Sequence, residues 1–451
     1  MIDHPQRAAL HNEIHARPPE PMTAPLVISH VVMLTNAEER AASREHLSSL
    51  LRDNHLPALD AQVSHSRHTL GGVRVRWERH TEFVSWTFMR PLDAGAQPDA
   101  NVTACAALPA TWIDALPGQR LVAMHLWASP QDADGASDEK TEGVSAREAL
   151  VRRMLRDETL IGSAVGDGQS EAYTDFAIHP DGFSRLLLFV GNTSPRGLGR
   201  LIQRLLEIET YRMAALMGFP AALQVSGELT HAERDLSELA TAIRAAQRHD
   251  EPQLLDRLTH LAGQIESQYA ALHSRFSASA AYFSLVDKRI SELGESRIDG
   301  LQTIREFMDR RLSPARNTCE WAVRRQDALS QRVSRMSNLL RTRVEIKQQQ
   351  NSEALLVTMN ERQDVQLKLQ STVEGLSVAA ITYYIVGLIS YVAKGAQQLG
   401  WPFGPESTAA VAIPIVAIGI WWSLRRLHRR VMHAGGPQSA SERVSPRGDN
   451  T

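Results

Sequence analysis

Residues 375–393, GLSVAAITYYIVGLISYVA, carry no charge and lie between Glu374 and Lys394. At about 1.5 Å per residue, a helix of this length crosses most of the ~30 Å hydrocarbon core of a bilayer. A second uncharged run, 407–424, stops at Arg425. It contains Pro414, whose missing donor is tolerated where neighbouring helices cover the freed carbonyl. The cluster Arg425, Arg426, Arg429 and Arg430 follows at once, and by the positive-inside rule it marks a cytoplasmic end. Two spans ending there predict both termini in the cytoplasm, with 394–406 as an external loop and 425–451 as a basic, disordered tail. Trp401, Trp421 and Trp422 fall at the expected interfaces, where amphipathic indoles collect.

Working back from the first span, 220–374 has few helix breakers and almost no strand pattern, and reads as long helices. Pro252 and Ser313-Pro314 mark breaks or helix starts. The last helix, beginning near Pro314 or Asn351, places Leu355, Met359, Val365, Leu369, Val373 and Leu376 at helical spacings and enters the first span without interruption. It is a candidate coiled coil. Between Arg310 and Lys347 ten basic residues face three acidic ones, which predicts attraction to anionic headgroups or an acidic partner.

Residues 1–219 alternate strand and helix signals. PLVISHVVML reads as a strand from Pro25, and Asn36 caps a helix from Ala37 to about Arg52. LGGVRVRWERH and TEFVSWTFMR read as a hairpin, Arg120–Ser129 as a strand, and PQDADGASDEKTEG as an exposed acidic loop. SEAYTDFAI and FSRLLLFVG are joined by His179-Pro180-Asp181-Gly182, in which Pro presets one dihedral and Gly supplies a positive φ. Ser194 and Pro195 then open a helix to about Met217. The fold class is α+β: an N-terminal cytoplasmic α/β domain with a mixed sheet, a long helical region and two C-terminal transmembrane helices.

The chain has 451 residues, 43% of them apolar, enough for two or three folded units. A net charge of -2 gives no reason to expect a nucleic-acid partner. The two cysteines, Cys105 and Cys319, are far apart and form neither a disulfide framework nor a zinc pattern. The opening MIDHPQRAALHNEIHARPPEP has no apolar stretch of the kind a secretory signal needs.

Site signals are sparse. His11, Glu13 and His15 alternate, and on an extended arm they would share one face, where two imidazoles and a carboxylate can chelate a divalent metal. Isolated polar residues on a Pro-rich arm docked on the domain surface are the commoner explanation, and Arg17 disfavours a cation nearby. GNTSPRGLG (191–199) lies between strand and helix but lacks both phosphate-loop fingerprints, and a capped turn accounts for it. Arg200, Arg204, Glu207, Glu209 and Arg212 read as an ion-pair ladder on a solvated helix face. No nucleophile elbow, kinase motif or zinc spacing is present, so neither an enzyme nor a cofactor is expected. In the first span Gly375, Ala379, Thr382, Val386 and Ser390 share a face of mostly small or hydroxyl side chains, which either packs against another helix or lines a pore with Lys394 at its outer mouth.

HPQRAALHNEIHARPPEP, TDFAIHPDGFSR, GRLIQRLLEIETYRMAAL and QLKLQSTVEGLSVAAITYYIVGLISYVAKG resemble a bacterial family of membrane-anchored proteins whose domain has no assigned function. The likeness covers nearly the whole chain. The plan also resembles the CorA-type divalent-cation channels: a cytoplasmic α/β domain, a very long helix becoming the first span, a short outer loop and a basic tail. Those channels carry Gly-Met-Asn at the outer end of the first span, where this chain reads Tyr391, Val392, Ala393, Lys394, Gly395. The expectation is a homo-oligomeric inner-membrane protein, in ion transport or its regulation. The alternative is a non-conducting scaffold that binds a cytoplasmic protein partner.

Overall fold

The computed structural model describes residues 3–7, 11, 18–60, 63–131, 146–246, 250–398, 402 and 404–434. The elements in chain order are β1 (Leu26–Leu34), α1 (Ala37–Asp53), β2 (His65–Leu70), β3 (Val73–Arg79), β4 (Phe83–Pro91), α2 (Ala110–Asp114), β5 (Gln119–Pro130) and α3 (Ala146–Met154). They continue with β6 (Ile161–Val165), β7 (Ser170–Thr174), β8 (Ser184–Val190), α4 (Pro195–Leu216), α5 (Gly218–Ala245), α6 (Glu251–Ser291), β9 (Ser296–Arg297), α7 (Ile304–Gln398) and α8 (Pro405–Ala434). The chain divides into two compact units, Met1–Leu340 and Arg341–Thr451.

In the first unit the strands form one mixed sheet in the order β2-β3-β4-β1-β5-β8-β7-β6-β9. Only β5 and β8 run parallel; the other pairings are antiparallel. The period-two alternation of strands sorts side chains onto two faces. Val27 and Val31 of β1, Trp77 of β3, Trp86 and Phe88 of β4 and Trp127 of β5 bury one face with Leu47 and Leu51 of α1. Leu26, Ile28, Leu126, Leu186 and Leu188 bury the other, with apolar residues of α4, α5, α6 and the start of α7. A fully buried indole contributes about 3 kcal/mol or more, so Trp77, Trp86 and Trp127 are major contributors to the first face.

Local chemistry explains the boundaries. Asn36 and Glu39 form a reciprocal capping box at the start of α1. Thr303 and Glu306 do the same for α7, which therefore begins at Ile304 and not at Pro314. Pro314 lies inside that helix, so the expected break there is corrected. The anticipated hairpin is β7 and β8, with Gly182 at φ +81°. Ser194 caps α4 by accepting from the Gly197 amide at 3.2 Å. Gly199 lies so close to the Glu20 carbonyl that a Cβ there would sit 1.8 Å from its oxygen. Close backbone approach and capping, not phosphate binding, account for those glycines. The acidic loop at 132–145 lies outside the described residues.

Along α7, Ile304, Met308, Leu312, Ala315, Cys319, Ala322, Leu329, Val333 and Leu340 are buried at helical spacing. In the second unit α7 and α8 are long and apolar enough to cross a membrane. Only 11% and 6% of their most apolar stretches are buried, whereas the core helix of a soluble protein would be mostly covered.

Candidate functional site

The second unit holds the small-residue stripe. Gly375 and Ala379 are exposed, Thr382 and Ser390 half-buried, and Val386 is buried together with Ala393 about two turns further on. The hydroxyls of Thr382 and Ser390 donate to the carbonyls of Val378 (2.7 Å) and Val386 (2.9 Å), so each is satisfied within its own helix. On α8 a matching half-buried stripe runs through Thr408, Ala409, Ala412, Val416 and Ile420. Tyr383, Tyr384, Tyr391 and Lys394 lie on the uncovered side of α7, the tyrosines 75–79% exposed. Arg425 and Arg426 stack on Trp421 and Trp422 at 4.7 and 5.1 Å from the ring centroids. Arg429 and Arg430 are helical, and their side chains lie outside the described residues, as do Trp401 and the tail 435–451.

At the N-terminus His11 is exposed, and Glu13 and His15 lie outside the described residues. Among the described residues no group of three or more His, Cys, Asp or Glu could hold a metal ion. The basic stretch from Arg310 is partly matched within the first unit: Arg316 pairs with Asp287 at 2.8 Å, Arg324 with Glu320 at 3.2 Å and Arg325 with Glu233 at 2.6 Å.

Sequence reasoning missed a polar cavity of about 230 Å³ between the sheet and helices α4 and α6 of the first unit. Its floor is Arg76 of β3 and His30 of β1, which flank Thr87 of β4 in one transverse row of the sheet, joined by Glu78 and Ser85 in the next row. Arg76 and Glu78 are 6% and 7% exposed and pair at 3.0 Å. In the neighbouring row Met89, Ile28 and Leu126 are apolar and buried, and the β3 position is half-buried Arg74, paired with Glu20. Half-buried His80, Gln203, Glu207, Tyr211 and Arg289 rim the mouth.

The cavity's protonation follows from its bonds. The Thr210 hydroxyl donates to the Leu206 carbonyl at 2.9 Å, so it accepts from Nε2–H of His30 at 3.0 Å. Nδ1 of His30 then accepts from the Thr87 hydroxyl at 2.9 Å. Burial, reinforced by the Arg76 guanidinium and His80, lowers the His30 pKa to about 3 and keeps the ring neutral. At the mouth Arg289 binds both Glu207 and Glu292, and the guanidinium pKa is raised: burial opposes its charge, and the two carboxylates more than offset that. The Gln203 carboxamide donates to Glu207 Oε1 at 2.8 Å.

These contacts correct the picture of a solvated ladder on α4. Glu209 is buried and accepts from Arg212, while Glu207 and Arg204 reach across to Arg289 and Glu292. The signal for the cavity was present in RVRWERH, where Arg74, Arg76 and Glu78 alternate with Val75 and Trp77. Such charges ordinarily face water on a one-sided sheet. Here α4 and α6 cover that face.

No curated protein and no solved structure matches the chain. The likeness to CorA-type channels therefore rests on the arrangement of helices alone. One family matches over residues 2–431, and the chain belongs to it: protein of unknown function (DUF3422).

Proposed function

We propose that the chain is a self-associating scaffold anchored in the bacterial inner membrane by two spanning helices, with both termini and the unit Met1–Leu340 on the cytoplasmic side, where that unit holds a soluble partner. The observation that carries this reading is the division of α7 into a covered and an uncovered face. The stripe that could have lined a pore is covered at Val386 and Ala393 and half-covered at Thr382 and Ser390. Helix packing is the ordinary use of small residues at such positions. The uncovered side carries Val365, Leu369, Val373 and Leu376 and continues at helical spacing through Tyr383, Tyr391 and Lys394. Exposed apolar side chains along a helix are stabilised only by a partner surface, and a second copy anchored in the same membrane presents an identical stripe in parallel register.

Ion transport or its regulation, on a CorA-like plan, is the second reading. It is favoured by the phenol hydroxyls and the lysine on the uncovered face, since polar groups within a span ordinarily face a partner or a water-filled path.

The experiment is a mass measurement of the complex in mild detergent, combined with cysteine labelling. Cysteines at 382, 386 and 390 are expected to resist a membrane-impermeant thiol reagent in cells with a permeabilised outer membrane, while the purified protein is oligomeric. Labelling at these positions with ion flux in liposomes that changes on Lys394→Glu transfers the reading to transport. A monomer without flux removes both.

A further inference from the structure

We propose that the polar cavity of the first unit binds a small zwitterion of the amino-acid class, with its carboxylate toward Arg76 and its ammonium toward Gln203 and Glu207. The inference is independent of anchoring and self-association, because every lining residue belongs to the unit Met1–Leu340.

The cavity carries a cost in stability. A buried ion pair contributes less to stability than well-packed apolar residues of the same volume. In the adjacent row of the same face β4, β1 and β5 place buried Met89, Ile28 and Leu126, and the one charge, Arg74 of β3, is half-buried and pairs with Glu20 at 3.4 Å, so a fully buried pair such as Arg76 and Glu78 is not repeated there. Two atoms also lack the bonds their chemistry calls for. Nε of Arg76 is a buried donor with no hydrogen-bond partner among the described residues. Oε1 of Gln203 is a buried acceptor with none. The orientation of the Gln203 amide is fixed, because turning it over would set its oxygen against the Glu207 carboxylate. Native proteins leave few such atoms unpaired.

The unmet groups define the ligand. The open donor on a floor guanidinium calls for an anionic acceptor, and a planar guanidinium fits a carboxylate. The open acceptor beside Glu207 at the mouth calls for a cationic or N–H donor. Arg76 is matched by Glu78, and Arg204 and Arg289 together by Glu207 and Glu292, so a ligand of net charge zero leaves the balance unchanged. About 230 Å³ is below the roughly 300–1,000 Å³ of clefts for drug-sized molecules, which restricts the ligand to a small metabolite.

The test uses the full chain in detergent, titrated by calorimetry with a panel of α-, β- and γ-amino acids and with acetate and ethylamine as singly charged controls. At least one amino acid is expected to bind at one site per chain and to raise the melting temperature, while neither control does. Gln203→Leu, at the half-buried mouth, is expected to weaken binding at least about tenfold with the unliganded melting temperature unchanged. The double change Arg76→Met with Glu78→Met removes the floor pair together, so that no charge is left buried alone, and is expected to abolish binding. Equal binding of acetate, undiminished binding by the double variant, or no binding by any amino acid at millimolar concentration overturns the proposal.

Discussion

Two buried histidines report on burial through their protonation. His30 is held neutral down to about pH 3 by burial and by Arg76 and His80. His125, stacked on Phe183, is held neutral to about pH 4, again chiefly by burial. In the unfolded chain both rings take up protons below about pH 6.5. Between those values only the unfolded state binds protons, so stability falls as the pH drops from about 6.5 toward about 4. Each ring contributes up to about 1.4 kcal/mol per pH unit. Urea unfolding across that range should show the slope, and a His30→Gln, His125→Gln double variant should flatten it; an unchanged slope counts against this account. Gly199 gives a second residue-level prediction. Gly199→Ala places a methyl on the Glu20 carbonyl and should cost about 1–3 kcal/mol, read by denaturation, with faster proteolysis ahead of Met22. Neither the neutral histidines nor the Gly199 contact was legible beforehand. Both depend on which distant segment lies against the residue, and a local pattern does not contain that.

Among the elements, legibility followed the strength of local chemistry. The Asn36 cap, the Gly182 turn and the Ser194-Pro195 start were read correctly because side chain and backbone settle them within a few residues. Strand β2 went unrecognised because its His65, Ser66, Arg67 and His68 carry no apolar alternation, and its place on the sheet edge is set by pairing with β3. The start of α7 was misplaced because proline is weighed as a breaker, while packing from Ile304 onward keeps the helix intact through Pro314. Its two faces yield opposed predictions. Leu369→Gln with Val373→Gln strikes the uncovered stripe and should dissociate the complex without loss of helix by circular dichroism. Ala379→Leu, near the N-terminal end of the small-residue stripe, should leave the assembly's mass intact, since that position is exposed and the stripe is covered only from Thr382 onward. If Ala379→Leu breaks the oligomer and the glutamines do not, the two faces have been assigned the wrong way round.

At the scale of the whole molecule the α+β class, the mixed sheet, the helical middle and the two apolar C-terminal helices were all present in the pattern of hydrophobicity. Of the polar cavity only the charged alternation of β3 is present there, because the cavity assembles residues from β1, β3, β4, α4 and α6 that only the topology brings together. Orientation is the molecular-scale prediction. Reporters fused after Gly400 and at Thr451 should lie on opposite sides of the membrane, with Thr451 cytoplasmic. Neutralising Arg425, Arg426, Arg429 and Arg430 together should weaken that preference, because those charges set it. A reporter at Thr451 found outside in the unmodified protein would remove the proposed arrangement.

The order of segments along α7 and the sheet has a temporal meaning. Gly375, where the first uncharged run opens, lies 78 residues beyond Arg297, the end of the last strand. At about 5–20 residues per second, synthesis of that interval takes roughly 4–16 s. Mixed sheets of this kind close in about milliseconds to seconds. Each nascent chain therefore has time to complete a tryptophan-packed sheet before residues 375–393 are made. In the proposed arrangement a body already folded resists being threaded unfolded through the bilayer, so the ribosome's own schedule would favour the same side that the terminal arginines favour by charge.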